Sequence, residues 1–430
     1  MPRASRQLLR SVASFLIADG LGIIGAVLFS ILLGRLRGAE ELGLYSFSMA
    51  QALLLQLFVE ANFAVTLPQE VARTGTIASP LRQAQLAKWY LALIGFPLGV
   101  GLTIGLGRAD ALAPTVAAFV VSLFHSFVSS YAALLQGLGA LQLLGAVIAV
   151  SSTLGALAGI AAVVAGWPLV PVILVQGGVG ALSAWVWFGI ALRRWQPGWP
   201  LWRTYAVEFL RDVFARGVRG TWEAVLDVLR ERWYWIAFGF VTNGYMRFGV
   251  LFLGWVGAEA AAIGAYSAAQ RFMMVLRMIP NAFFRVLLPQ FAKLPDQFSE
   301  LWAVGMSAAV GVPIAAGIYG AAPWLIEWTF RIPEAVAMLQ VLAWALPGVM
   351  LSHLAEAYGL TLRGRQRQIV LWAAVVLGLG FLSAASLLPP WGSIAVAYVY
   401  VGMETLYALG VMLMVWGQRR KVRHGATVGL

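Results

Sequence analysis

Of the 430 residues, 61% are hydrophobic and only 11% charged, with a mean hydropathy of +0.82; this excludes a soluble domain and leaves an all-α, polytopic integral membrane protein. The apolar stretches are continuous rather than alternating, which excludes a transmembrane barrel. There is no cysteine, so disulfide and thiol chemistry are excluded, and the net charge of +12 sits beside hydrophobic spans rather than in a nucleic-acid-binding patch.

Hydropathy predicts about twelve spans, at 12–34, 42–67, 86–106, 112–136, 141–165 and 169–190, then at 233–253, 264–289, 301–325, 335–361, 369–388 and 393–416. Basic residues precede the first span, but no small-residue cleavage site follows it, so an uncleaved first helix is expected. Gly34/Gly38, Gly107/Pro114, Gly137/Gly139 and Trp167-Pro168 punctuate the breaks. The expected organisation is a six-helix lobe over 1–190, a connection over 191–232 and a second six-helix lobe over 233–430.

Within the connection, Val213, Val218, Trp222, Val225, Leu229 and Trp233 form a stripe at helical spacing, with Arg211, Arg216, Arg219, Glu223, Asp227 and Arg230 on the other faces. The pattern predicts an amphipathic helix on an anionic inner leaflet. If the N-terminus, with Arg3, Arg6 and Arg10, is cytoplasmic, the outer loops carry only Arg35, Arg37, Arg108 and Arg331 of the 30 Lys and Arg residues. The positive-inside rule therefore places both termini in the cytoplasm. Trp233, Trp255, Trp324, Trp328, Trp391 and Trp416 fall at or near span ends, as an aromatic belt requires.

The eighth span carries three arginines, Arg271, Arg277 and Arg285, although a cation at membrane depth costs about 2.5–3.5 kcal/mol on insertion scales. Gln270, Met274, Arg277, Asn281 and Arg285 recur every three or four residues and share one helical stripe. The stretch has an echo earlier in the chain. Adding 221 to each number carries Gly43–Gln69 onto Gly264–Gln290, matching Gly43/Gly264, Tyr45/Tyr266, Ser46/Ser267, Phe63/Phe284 and Pro68/Pro289 among others. A repeat of about half the chain predicts a two-lobed transporter with its site between the lobes.

The other ionisable residues inside spans are Asp19, Glu60, Arg247, Glu356 and Glu404, with His125 and His353 beside them. Arg285 and Glu356 lie within about a turn of the cytoplasmic ends and can snorkel, whereas Arg277 is near mid-span. Gln56 and Glu60 occupy the repeat positions of Arg277 and Asn281, so a basic stripe opposes a polar, acidic one. Arg277 then either holds an anionic group of the substrate or forms a structural pair with Glu60. The candidate substrate-binding set is Arg277, Arg271, Arg247, Arg285, Asn281, Gln270, Gln56 and Glu60; Asp19, Glu404 and His125 are candidates for coupling. Three histidines and no acidic loop clusters point to no metal, and no cofactor is expected.

The run GRLRGAEELGLYSFSMAQALLLQLFVEANFAVTLPQEVAR resembles the first repeat of the polysaccharide flippase branch of the multidrug/oligosaccharidyl-lipid/polysaccharide exporter superfamily. GAEAAAIGAYSAAQRF resembles the matching turn between spans seven and eight, and Leu134-Leu135-Gln136-Gly137-Leu138 the end of span four. Members often carry an acidic residue within span seven; here Met246-Arg247-Phe248 stands there, which puts a shared cation-coupling scheme in doubt. The resemblance implies a V of two six-helix lobes working by alternating access in the bacterial cytoplasmic membrane. It also implies an isoprenoid-diphosphate-linked oligosaccharide as substrate, flipped to the outer leaflet, with polysaccharide polymerase or assembly proteins as partners. Two other readings stand beside it. One is a multidrug cation antiporter of the same superfamily, which four intramembrane arginines disfavour. The other is a membrane glycosyltransferase or ligase, for which the outer loops are too short.

Overall fold

The computed structural model describes residues 3–192, 202–277, 304–355 and 366–426. These residues are helical almost throughout, in the order α1 Arg3–Glu60, α2 Phe63–Thr74, α3 Ala78–Gly105, α4 Ala109–Gly137, α5 Leu141–Val164 and α6 Leu169–Leu192. Then follow α7 Trp202–Trp255, α8 Ala260–Leu276, α9 Val312–Thr329, α10 Glu334–Ala343, α11 Leu346–Ala355, α12 Gln366–Trp391 and α13 Ile394–Ala426, with a π-helical turn, Ser307–Gly311, leading into α9. Among the described residues nine helices are long and apolar enough to cross a membrane, or ten when the bent α7 is included. An apolar run can cross hydrocarbon only by satisfying its backbone internally, which a helix does.

The chain divides into two units. The first comprises Met1–Leu36 and Leu44–Asn243; the second comprises Arg37–Gly43 and Gly244–Leu430. The described part of the 191–232 connection therefore groups with the first unit.

In the first unit α4 is the hub, packed by α2, α3 and α6, with α5 against α6. Small residues set the closest approaches. A Cβ on Gly155 of α5 would lie 2.7 Å from the Gln176 carbonyl oxygen of α6, and one on Gly25 of α1 would lie 3.1 Å from Ala156. Such contacts replace the hydrophobic drive that lipid cannot supply between helices. In the second unit α8 lies on α10, and α13 is packed by α10, α11 and α12.

Three irregularities interrupt this regularity. Gly38 (φ 83°) divides α1 where the sequence predicts a break between spans one and two. Span two is itself broken: α1 stops at Glu60, Ala61 and Asn62 take left-handed conformations (φ 42° and 59°), and α2 restarts at Phe63. Gly217 (φ 65°) bends α7 inside the predicted amphipathic stripe. That bend splits the stripe: Val225 is buried against Tyr90 and Phe209, while Val218, Trp222 and Trp233 are exposed. The single flat surface helix expected from the spacing is thus corrected to two helices joined at an elbow, the first docked on α3.

Candidate functional site

In the second unit the polar groups converge on α7 around Met246. Gln270 and Arg277 lie on one stripe of α8, as their spacing predicts, and both reach that residue. The Gln270 amide donates to the Met246 carbonyl at 2.9 Å, and the Arg277 guanidinium rests on the Met246 sulfur. The other edge of the guanidinium donates to the Tyr400 hydroxyl and to the Glu404 carboxylate, both on α13. Arg277 is 7% exposed and Glu404 2%, so this is a desolvated ion pair. The alternative partner considered for Arg277 from sequence, Glu60, is replaced by Glu404. The pairing follows from packing: α13 is a buried helix of the same unit, and a buried cation requires the nearest available carboxylate.

Arg271 is also buried and points a guanidinium nitrogen at the Met274 sulfur, 3.9 Å away. Arg247, half-buried, follows Met246 on α7. His353 bonds the Val349 carbonyl one turn back at 2.8 Å. Asn281, Arg285 and Glu356 lie outside the described residues, as does the side chain of Asp19.

The first unit holds a separate polar group. Gln56 and His125 line a cavity of about 270 Å³ with Ser122, Ser151, Ser152 and Gln176. Tyr45 donates to the Gln176 amide oxygen at 3.0 Å, and the Ser151 hydroxyl is buried without a partner among the described residues. Glu60 is half-buried beside the break in span two.

Lys88 is the residue that sequence reasoning missed. Only two residues inside the predicted third span, it reads as an end-of-helix charge. It is instead fully buried, donating to the Ser126 carbonyl and to the Ser129 and Ser130 hydroxyls of α4 at 3.1 and 2.7 Å. Its neighbour one turn back, Gln85, donates to the Phe127 carbonyl at 3.0 Å. The signal available was that one-turn pair, Gln85 and Lys88, facing a serine-rich stretch of span four.

Among the described residues both units are helical and bury polar side chains at membrane depth, as the helices of a membrane transporter do. Residues 8–295 match the family of polysaccharide biosynthesis proteins, and the chain belongs to that family. Its fold is that of the multidrug/oligosaccharidyl-lipid/polysaccharide exporter superfamily. Among solved structures it is similar to the lipid II flippase MurJ in an inward closed conformation, at 11% identity and a TM-score of 0.69 over 93% of this chain and 86% of that one. It is likewise similar to the eukaryotic MATE transporter AtDTX14, at 14% identity and a TM-score of 0.57 over 97% and 99% of the two chains. A point mutant of the Vibrio cholerae MATE transporter VcmN gives 14% identity and a TM-score of 0.54 over 97% of both. None of the curated proteins matches the chain.

Proposed function

We propose that this transporter flips an isoprenoid-diphosphate-linked oligosaccharide from the cytoplasmic to the outer leaflet of the bacterial cytoplasmic membrane. The carrying observation is membership of the polysaccharide biosynthesis family across residues 8–295. The site chemistry supports it. A diphosphate must cross hydrocarbon shielded, and the planar guanidinium fork pairs phosphate oxygens in two parallel bonds without losing its charge. Arg247, Arg271 and Arg277 bring three such forks to α7 and α8. Glu404 and Tyr400 hold the Arg277 guanidinium, and diphosphate oxygens compete for the same N–H groups. Asn281, Gln270, Arg285, Gln56 and Glu60 complete the proposed binding set, and both termini are cytoplasmic on this reading.

The test is reconstitution into proteoliposomes with a fluorescent lipid-linked oligosaccharide on one leaflet. Appearance of the label on the opposite leaflet is the expected result. Transport of a lipophilic drug cation, with no movement of the oligosaccharide, would replace this reading with multidrug antiport.

A further inference from the structure

The cavity of about 270 Å³ in the first unit is polar without being charged. Its hydrogen-bonding side chains are Gln56 of α1, Ser122 and His125 of α4, Ser151 and Ser152 of α5, and Gln176 of α6. Among the described residues no Asp, Glu, Lys or Arg lines it. Polar side chains are costly at membrane depth and face a partner or a water-filled space there. Gln56, His125, Ser152 and Gln176 are half-buried, so the cavity is open rather than sealed.

Three details mark it as built for a ligand. A serine within a helix can spend its hydroxyl on the preceding turn, as Ser152 does on the Ile148 carbonyl at 2.8 Å and Ser126 on the Ser122 carbonyl at 3.0 Å. Ser151, 5% exposed, does not: its hydroxyl has no partner among the described residues, so a ligand that reaches it relieves an unpaired polar group. Tyr45 donates to the Gln176 amide oxygen, which leaves the Gln176 NH2 group to donate. Gly22 keeps the hollow clear, since a Cβ there would lie 3.3 Å from the Ser152 hydroxyl oxygen.

Amide, hydroxyl and imidazole groups together both donate and accept, which is what the hydroxyls of a sugar require. The volume corresponds to about nine waters at about 30 Å³ each, room for one sugar ring in their place. An acidic sugar would be desolvated there without a cation to pair with. The charged residue of span one nearest to Gly22 in sequence, Asp19, is itself acidic. We infer that this cavity seats one uncharged sugar ring of the transported glycan. The inference rests on the flippase reading above and narrows its substrate class.

Calorimetric titration of the full chain in detergent tests it. The ligands are geranyl diphosphate, bare or carrying glucose, galactose, N-acetylglucosamine or glucuronic acid. At least one neutral sugar should tighten binding about tenfold over the bare diphosphate, as one or two further hydrogen bonds would, and glucuronic acid should not. Ser151→Ala should reduce that gain about fivefold and leave the melting temperature unchanged or raised, because the hydroxyl it removes has no partner in the fold. Binding of none of the ligands would overturn the flippase reading and the inference with it. Diphosphate binding that no neutral sugar tightens, or that glucuronic acid tightens equally, would overturn the sugar subsite alone. So would a gain untouched by Ser151→Ala, or a fall in that variant's melting temperature.

Discussion

Gly43 and Gly264, equivalent positions of the internal repeat, pack against each other's helices with no room for a side chain. A Cβ on Gly43 would lie 1.8 Å from the Ala260 carbonyl oxygen, and a Cβ on Gly264 would lie 1.8 Å from that of Ala39. Each glycine thus faces backbone one turn before the other. Backbone cannot yield as a flexible side chain does, so Gly43→Ala and Gly264→Ala should each destabilise by at least about 1–3 kcal/mol. Gly101→Ala, where nothing lies within 4 Å, should leave stability unchanged or slightly improved. Thermal melting of the purified variants checks this, and near-equal losses at the two repeat positions are expected.

Removing Arg277 alone leaves Glu404 buried and unpaired. Arg277→Gln should therefore cost about 3–5 kcal/mol and lower expression, and adding Glu404→Gln should restore folding. Transport then separates the roles. A double variant that folds but does not flip substrate supports the diphosphate contact; one that folds and transports shows that the pair only holds α8 to α13. Arg277→Lys, keeping charge without the fork, should retain partial transport.

Lys88 is fully buried and has no carboxylate within ion-pair distance among the described residues. Its hydrogen bonds offset a desolvation cost that a hydrophobic side chain would not incur. Lys88→Met should stay within about 1.5 kcal/mol of wild type, because the stem still packs and Ser129 retains its bond to the Ser126 carbonyl. Lys88→Glu places an anion against that carbonyl and should fail to fold. Expression and melting temperature of the two variants decide the matter; a large loss in Lys88→Met would mean that the charge itself stabilises the α3–α4 contact.

Orientation is accessible to labelling because the chain has no cysteine of its own. Cysteine at Ala109, exposed at the start of α4, should react with an impermeant maleimide from outside intact cells. Cysteine at Gln136, exposed at the far end of α4, should react only after permeabilisation. The reverse pattern would invert the topology.

Helix content and most helix ends were legible because they depend on local chemistry. The turns at Gly107, Gly139 and Trp167-Pro168 each end a helix as the punctuation predicts. The stripe joining Gln270 and Arg277 was legible for the same reason, since a period of 3.6 fixes which residues share a face. What those faces meet was not. Glu404 lies 127 residues from Arg277, and no periodicity encodes that meeting. Gly217 reads as one small residue within an amphipathic stripe, and only its positive φ reveals the elbow. Asn62 looks like one more polar member of a helical face, although asparagine is among the few residues that enter the left-handed region readily.

The break at Ala61-Asn62 divides span two into two helices with different neighbours. Ala61 in a left-handed conformation stores on the order of 1–3 kcal/mol, while Asn62 adopts that conformation more readily. Arg232 of α7 lies over the Phe63 ring at 4.3 Å and donates to Thr66 at 3.2 Å, gripping the first turn of α2 from outside. The break therefore sits where span two passes from its own helix to a side-chain hold from α7, so Arg232 ties the restart of the span to a helix far along the sequence.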